Sequence, residues 1–351
     1  MRFQNGTNVD EGQPCFIIAE IGQNHQGDLD VAKTMIAKAK ECGADCVKFQ
    51  KTHLPSKFNR AALDKVYDSP HSWGITYGEH KQYLEFSQEE YQILQQYAEQ
   101  QVGIMFTASA MDQVSFDFLR SLNPPFIKLG SGDSNNIPLI RHAASTMIPL
   151  IISTGMLPDI SHIDRIYATV SQFHSNFALL HCVSAYPTPY NEVNLRVIAT
   201  LRHRYPDIPI GYSGHENGVE VCIGAVAMGA QIIEKHFTLN KSLKGNDHSS
   251  SLTPSELQAL VNGIRIIETS RGSPTKRRQP SETPCYLKLG KTIVTARQIK
   301  KGAVIEESDL GVKVAEPRGI CGSQVESLVG RRSKRNLEPD ASIREGDLED
   351  E

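Results

Sequence analysis

The 351-residue sequence lacks any apolar run that approaches the roughly 20 residues needed to cross a membrane as a helix. Its N-terminal stretch is polar and has no hydrophobic segment of the kind found in secretion signals. The formal net charge is only −3, and the one basic run, Lys276-Arg277-Arg278, lies among Pro and Ser residues. These absences predict a cytoplasmic protein and give no electrostatic case for binding nucleic acid or an acidic membrane surface.

Paired cysteines and a nucleotide-binding glycine turn are also missing. The seven cysteines are an odd number, scattered through apolar stretches without a C-x-x-C pair, which predicts reduced thiols rather than a disulfide framework. The first apolar run ends in EIGQNHQGD and lacks the G-x-G-x-x-G turn of dinucleotide-binding folds. A doubly wound nucleotide-binding sheet is therefore disfavoured.

Short apolar runs, rich in β-branched and aromatic residues, alternate with amphipathic stretches of helical period. The runs cover residues 15–22, 46–52, 103–109, 126–132, 150–156, 177–187, 208–215 and 231–238. Eight strand–helix units in a segment of this length predict a (β/α)8 TIM barrel.

The composition changes after residue 270, which predicts a barrel domain over 1–270. The Pro-, Ser- and Arg-rich residues 271–284 indicate a linker, and residues 285–351, with short β-type runs and many turns, indicate a small, mostly β domain. A long insertion at 53–87 follows the second strand and predicts a lid or an added substructure, in which Trp73 is a packing anchor.

Polar residues stand at the end of every predicted strand, where a TIM barrel carries its catalytic groups. They are Glu20 and Asn24, Lys48, Gln50 and Lys51, Thr107 and Ser109, Lys128, Ser131 and Asp133, Ser153 and Thr154, His181, Ser184 and Tyr186, Ser213 and His215, and Glu234 and His236. One such residue could be a satisfied core group, but eight strands in succession predict a concave polar site.

Two of these residues, His215 and His236, end neighbouring strands, and strands in a sheet lie about 4.8 Å apart. Two imidazoles at that spacing can share one ion, with Glu20 across the barrel closure and Asp247 in the next loop as nearby oxygen donors. Nitrogen and oxygen donors without a thiolate favour Mn²⁺ or a similar divalent ion over a structural zinc.

Lys48 and Lys128 fall within strands, where a charge needs a partner. Three interpretations stay open at this point: a structural ion pair, an anchor for phosphate or carboxylate, and a Schiff base. The hydroxyls of Ser131, Ser153 and Ser213 favour the anchor.

Eight motifs, in chain order, resemble those of the sialic acid synthase family. They are AEIGQNHQGD, VKFQK, KLGSGD, ISTGM, SAYPTP, GYSGHE, EKHFTL and GNDHSSSL. The tail from KLGKTIV to EPRGI resembles the family's C-terminal SAF, or antifreeze-like, domain. The stretch HSWGITYGEHKQYLEFS is closer to the animal members, the N-acetylneuraminate 9-phosphate synthases, than to bacterial ones.

The resemblance implies roles for individual residues. Glu20 is implied as the catalytic carboxylate, and His215 and His236 as the metal ligands. Substrate-binding positions are implied at Lys48, Gln50, Ser109, Lys128, Ser131, Asp133, Ser153, Ser184, Tyr186, Ser213 and Asp247. Asp133 and Ser184 depart from the residues of bacterial members, so the sugar contacts stay open. Arg318 is the candidate for an arginine that reaches the partner's active site in a domain-swapped homodimer.

The reaction implied by the resemblance condenses phosphoenolpyruvate with N-acetylmannosamine 6-phosphate, assisted by Mn²⁺ or Mg²⁺. The long insertion offers Lys57, Arg60, His80 and Lys81 as candidates to bind the distal phosphate, although for each taken singly a solvated surface charge is favoured. The alternatives are another phosphoenolpyruvate–aldose synthase, a Schiff-base aldolase that uses Lys48 or Lys128, and a non-catalytic sugar- or ice-binding protein.

Overall fold

Eight parallel strands close into a barrel in the computed structural model, which describes residues 1–349. This confirms the predicted TIM barrel. The strands are β1 (Phe16–Gly22), β2 (Cys46–Lys51), β3 (Met105–Ala110), β4 (Ile127–Leu129), β5 (Leu150–Ser153), β6 (Phe177–Cys182), β7 (Ile210–Gly214) and β8 (Ile232–His236). Each strand pairs with its sequence neighbour, and β1 pairs with β8 to close the barrel.

Helices surround the strands and connect them. They are α1 (Leu29–Glu41), α2 (Leu54–Lys57), α3 (Arg60–Leu63), α4 (Tyr77–Leu84), α5 (Gln88–Gln96), α6 (Gln113–Ser121), α7 (Ile137–Ser145), α8 (Ile160–Ser171), α9 (Arg196–Arg204), α10 (Glu220–Ala227) and α11 (Pro254–Arg271). After α5 the chain continues as a π-helix over Tyr97–Val102. Amphipathic α1 illustrates the packing, because Ala32, Met35, Ile36 and Ala39 are its buried residues and all recur at helical spacing.

The strands alternate between two environments with period two. Along β1, Phe16 and Ile18 pack in one apolar cluster inside the barrel, whereas Ile17, Ala19 and Ile21 pack in the cluster that includes the helices. Phe3 and Val9, from the chain preceding β1, belong to the inner cluster and fill the end of the barrel where the strands begin. The opposite end of the interior is left to the polar residues at the strand termini.

The predicted insertion after β2 forms an added substructure of three short helices, α2 to α4. The Trp73 ring stacks on Tyr83 with centroids 5.5 Å apart, and Lys244 Nζ lies 4.8 Å from the Trp73 ring centroid. The hydroxyl of Tyr67 accepts a hydrogen bond from Asn246 Nδ2 at 2.9 Å. The insertion is thus tied to the loop that follows β8.

The chain divides into two compact units after Gly272. The second unit contains α12 (Thr283–Leu289) and an antiparallel pair, β9 (Thr292–Thr295) and β10 (Leu310–Lys313). The segment expected to be a linker, 271–284, is helical at both ends, because α11 extends to Arg271 and α12 begins at Thr283. Eight buried aliphatic residues, among them Ile293, Leu328 and Leu337, form the core of this unit. Within residues 1–349, no helix is both long and apolar enough to span a bilayer.

Candidate active site

A polar cavity of about 250 Å³ opens at the carboxyl ends of the barrel strands. Its lining residues are Glu20, Lys48, Gln50, Lys57, Ser109, Met111, Lys128, Gly130, Ser131, Gly132, Ser153, Met156, Cys182, Ser184, Tyr186, Ser213, His215, Glu234 and His236. Most of them follow from strand alternation: in β8, Ile232 lies in the inner apolar cluster, and Glu234 and His236 lie above it on the same face.

The backbone of β1 aims Glu20 at the cavity. The register between β1 and β2 shifts between Glu20 and Gly22, an irregularity of the bulge type that re-aims a side chain. Gly22 has φ +57°, and an added Cβ would meet Gln50 Nε2 at 3.1 Å and Glu20 Oε1 at 3.2 Å. A glycine therefore suits the position where the chain turns over the Glu20 carboxylate.

Two lysines and two glutamates form a buried charge network at the base of the cavity. Lys48 Nζ lies 2.6 Å from Glu20 Oε2 and 3.7 Å from Glu234 Oε1. Lys128 Nζ lies 3.9 Å from Glu234 Oε2. Gln50 Nε2 donates to Glu20 Oε1 at 2.9 Å. Each ammonium group thus has a carboxylate nearby to compensate its charge, which is the condition for burying it in the barrel.

Serine hydroxyls extend this network along the wall. Lys48 Nζ donates to Ser109 Oγ at 2.7 Å, and Lys128 Nζ donates to Ser153 Oγ at 2.6 Å. Ser213 Oγ donates to Glu234 Oε1 at 3.2 Å. A lysine and a hydroxyl on adjacent strands can together bind an oxyanion.

The pKa values of the two glutamates shift in opposite directions because their surroundings differ. Burial, reinforced by nearby Glu234, raises the pKa of Glu20 to about 7 against the opposing charge of Lys48. Burial also acts to raise the pKa of Glu234, but Lys128 and Lys48 outweigh it and hold that pKa below its ordinary value. Burial lowers the pKa of Lys128, whereas at Lys48 the two glutamates outweigh burial and raise the pKa. Glu20 is thus the carboxylate suited to accept or donate a proton near neutral pH.

The two predicted metal-binding histidines face each other across β7 and β8, with ring centroids 5.4 Å apart. His215 Nδ1 lies 3.0 Å from the Val183 carbonyl, which can only accept, so Nδ1 carries the proton and Nε2 is free to bind a metal. Burial lowers the pKa of His236 to about 4, and its buried Nδ1 lacks a hydrogen bond, with Asp247 Oδ2 4.0 Å away.

These two histidines fit a divalent ion. Imidazoles on adjacent strands are the nitrogen donors that Mn²⁺ and similar ions accept, and the open cavity leaves positions for oxygen ligands. In the part of the chain that is described, no three His, Cys, Asp or Glu side chains are already grouped as a metal site. Asp247, the oxygen donor expected beside the pair, does not line the cavity.

Other sequence-predicted residues fall into two groups. Gln50, Ser131, Ser184 and Tyr186 line the cavity, and the Tyr186 ring centroid lies 4.2 Å from that of His215. Asp133 is buried in the turn after β4, outside the lining, and its Oδ2 has no hydrogen-bond partner.

Arg318 is used locally within the second unit. Its guanidinium donates to the carbonyls of Tyr286 at 2.6 Å and Leu287 at 3.0 Å, and it stacks over the Tyr286 ring. It therefore binds the end of α12 in the single chain. Its proposed reach into a partner's site stays a prediction.

Two polar cavity residues were given no individual role from the sequence. Glu234 was named only as a polar strand end, and it bridges both lysines from the inward face of β8 that it shares with His236. Cys182, at the end of β6, accepts from Ser131 Oγ at 3.4 Å and lies 3.7 Å from His215 Nδ1. A single cysteine in an apolar run does not indicate a site residue.

Comparison with known proteins identifies the family. Residues 35–276 match the NeuB family, and residues 290–349 match the SAF domain. The chain therefore belongs to the NeuB family. The predicted membership of the sialic acid synthases and the prediction of an enzyme, a phosphoenolpyruvate-condensing transferase, are confirmed.

Full-length relatives support this assignment. The chain is 52% identical to human N-acetylneuraminate-9-phosphate synthase over 332 residues, which covers 95% of this chain and 92% of the relative. It is 47% identical to the Drosophila melanogaster enzyme of the same name, with coverage of 93% and 94%. The crystal structure of N-acetylneuraminic acid synthetase from Leptospira borgpetersenii, bound to citrate, is 34% identical with a TM-score of 0.67, covering 78% of this chain and 90% of that one.

Proposed function

We propose that this enzyme condenses phosphoenolpyruvate with N-acetylmannosamine 6-phosphate and forms N-acetylneuraminate 9-phosphate and inorganic phosphate. The supporting observation is one cavity that brings the Lys48–Lys128 network together with two imidazoles, His215 and His236. The animal relatives named above carry the name of this activity.

The base of the cavity suits phosphoenolpyruvate, which carries a carboxylate and a phosphate. Lys48 and Lys128 are already paired with hydroxyls of Ser109 and Ser153, so each can offer an ammonium and an adjacent hydroxyl to an anion. Fixing both anionic groups orients the enol carbon toward the histidine wall. Such positioning can contribute about 7–11 kcal/mol to lowering the barrier.

The reaction joins C3 of phosphoenolpyruvate to the aldehyde C1 of the open-chain sugar. Water then adds to the cationic C2, and phosphate leaves with cleavage of its C–O bond, which gives the keto acid. Glu20 is suited to take a proton from that water, because its pKa of about 7 leaves it available as a base near neutral pH. His215 and His236 would hold Mn²⁺ or Mg²⁺, which supplies Lewis-acid polarisation of the aldehyde oxygen when bound.

Removing divalent ions should abolish turnover, and adding Mn²⁺ or Mg²⁺ should restore it. Without an ion held by the two imidazoles, the aldehyde oxygen of the sugar would not be polarised. Phosphate release is measured before and after treatment with a chelator and after reconstitution. The His215→Ala variant serves as a comparison, since added metal should not rescue it. Undiminished turnover by metal-free enzyme would contradict both the ion site and its role.

Product analysis tests the reaction itself. The enzyme is incubated with phosphoenolpyruvate and either N-acetylmannosamine 6-phosphate or the free sugar, and phosphate release and product mass are followed. We expect a higher kcat/KM for the phosphorylated sugar, since its second phosphate adds binding energy remote from the reacting atoms. A keto acid of another mass, obtained with another aldose, would support the alternative synthase.

A Schiff-base aldolase is separated by borohydride trapping with pyruvate. We expect no covalent adduct, because Lys48 is held as an ammonium by Glu20 and the Lys128 ammonium lies 3.9 Å from the Glu234 carboxylate. An adduct on either lysine would support the aldolase instead. The homodimer and the cytoplasmic location expected from the sequence stay predictions; the oligomeric state in solution tests the first.

A further inference from the structure

The buried and half-buried lysines of this protein are paired with carboxylates, with two exceptions. Among residues 1–349, eight lysines are buried or half-buried. Six have a carboxylate oxygen within 4.0 Å of Nζ: Lys33, Lys48, Lys51, Lys128, Lys235 and Lys241. The other two, Lys57 and Lys81, have no such ion pair, and both belong to the insertion after β2. An ammonium group without a counter-ion is costly to bury, which points to an anion from outside the chain.

Lys57, the last residue of α2, lines the candidate active-site cavity. The nearest aromatic contact of its Nζ is the Phe58 ring, 5.5 Å to the centroid. Burial lowers the pKa of Lys57, and the carboxylate of Asp133 acts against that shift without forming an ion pair. Its charge is therefore left facing the cavity.

Lys81 in α4 is the second member of the pair. Its Nζ donates to the neutral Gln23 Oε1 at 2.7 Å, and Gln23 lies just beyond β1. Burial lowers the pKa of Lys81, and the positive charge of Lys57 lowers it further, while Asp247 opposes both. Lys81 is thus a second half-buried ammonium group without a carboxylate partner, and its helix α4 packs against α2, which carries Lys57.

We infer that Lys57 and Lys81 form a binding site for the distal phosphate of the sugar substrate, which sets a preference for a phosphorylated aldose. A phosphate dianion would remove the repulsion between them and supply the missing counter-ion. The site is distinct from Lys48 and Lys128, which glutamates already balance. This inference rests on the proposed function and names the residues that would recognise its substrate.

The other two basic candidates in the insertion are unsuited to this role. The Arg60 side chain is 94% exposed and its Nε lies 3.4 Å from Asp64. His80 is buried, and its Nδ1 accepts a hydrogen bond from the Trp73 backbone at 3.3 Å. Lys65, an exposed residue of the same insertion, provides a matched control position.

The test compares Lys57→Met, Lys81→Met, the double variant and the control Lys65→Met in the full-length enzyme. Calorimetric titration measures the Kd of N-acetylmannosamine 6-phosphate and of free N-acetylmannosamine, and steady-state kinetics measures the KM of phosphoenolpyruvate. We expect each single variant to raise the Kd of the phosphorylated sugar by about tenfold or more, since a hydrogen bond to a charged group is lost. Binding of the free sugar should change far less, and Lys65→Met should match the parent.

Three outcomes would overturn the inference: equal affinity of the parent for both sugars, equal weakening of both sugars by the variants, or a raised KM for phosphoenolpyruvate as the main effect. The last would mean that the lysines bind the phosphate of the other substrate. A parent enzyme that binds the phosphorylated sugar through Lys57 and Lys81 but forms no keto acid would refute the proposed function alone.

Discussion

Replacing Glu20 by Gln should lower kcat by about 10²–10⁴-fold while leaving the fold intact. Glutamine keeps the shape of the side chain but cannot take a proton, and Glu20 is the carboxylate whose pKa, about 7, suits proton transfer near neutral pH. The fold should survive because Lys48 retains Glu234 as a counter-ion, 3.7 Å away. Single-turnover measurements of phosphate release, with circular dichroism and phosphoenolpyruvate binding in parallel, check the result.

A matched control is available in Glu85→Gln. Glu85 is another glutamate with a nearly covered side chain, 8% exposed, and it pairs with Lys51 at 2.7 Å, but it does not line the candidate active-site cavity. This variant should lose stability, since it leaves Lys51 without its carboxylate, and keep kcat near the parent value. Equal losses of kcat in the two variants would mean that Glu20 acts only through the structure.

The barrel could be predicted because its signals are local. Each strand is a short apolar run, and period-two alternation places Phe16, Ile18 and Glu20 on one face of β1 without knowledge of the rest of the chain. Alternation also turns His236 of β8 toward the cavity, and barrel closure places it level with Glu20, because the two residues are paired partners in β8 and β1. Most of the cavity lining follows from this alternation and from barrel closure.

The roles that escaped prediction depend on contacts between distant segments. The pairing of Glu234 with Lys48 and Lys128 requires three strands to be in register around the barrel. Four basic residues of the insertion were equivalent in the sequence, and only their burial and partners distinguish Lys57 and Lys81 from Arg60 and His80. Local sequence does not encode which side of a long insertion faces the cavity.

Outside the barrel wall, another buried ion pair joins the two strands that carry the histidines. Glu216 directly follows His215, and Lys235 directly precedes His236. Lys235 Nζ lies 2.9 Å from Glu216 Oε1, Tyr212 donates to Glu216 Oε2 at 2.6 Å, and neither charged residue is more than 1% exposed. Because strand side chains alternate, this pair points away from the cavity while fixing the ends of β7 and β8.

Lys235→Met should therefore destabilise the barrel by about 3–5 kcal/mol, since it leaves Glu216 buried without a counter-ion. Burial acts to raise the pKa of Glu216, but Lys235 makes the largest opposing contribution and the pKa lies below its ordinary value. The pair therefore stabilises the fold at any pH above that ordinary pKa. Its contribution is lost as the pH falls through the folded pKa. The deficit of the variant should accordingly be greatest at neutral pH and shrink on acidification.

Urea unfolding followed by tryptophan fluorescence measures this effect in the barrel unit, because Trp73 is the only tryptophan and belongs to that unit. Adding Glu216→Gln to Lys235→Met should recover much of the lost free energy of unfolding, since the uncompensated charge is removed. The partly exposed pair of Lys241 and Glu256, 2.6 Å apart, is the control: Lys241→Met should cost no more than about 1 kcal/mol. A Lys235→Met variant as stable as the Lys241→Met control would show that the buried pair does not hold the two histidine strands together.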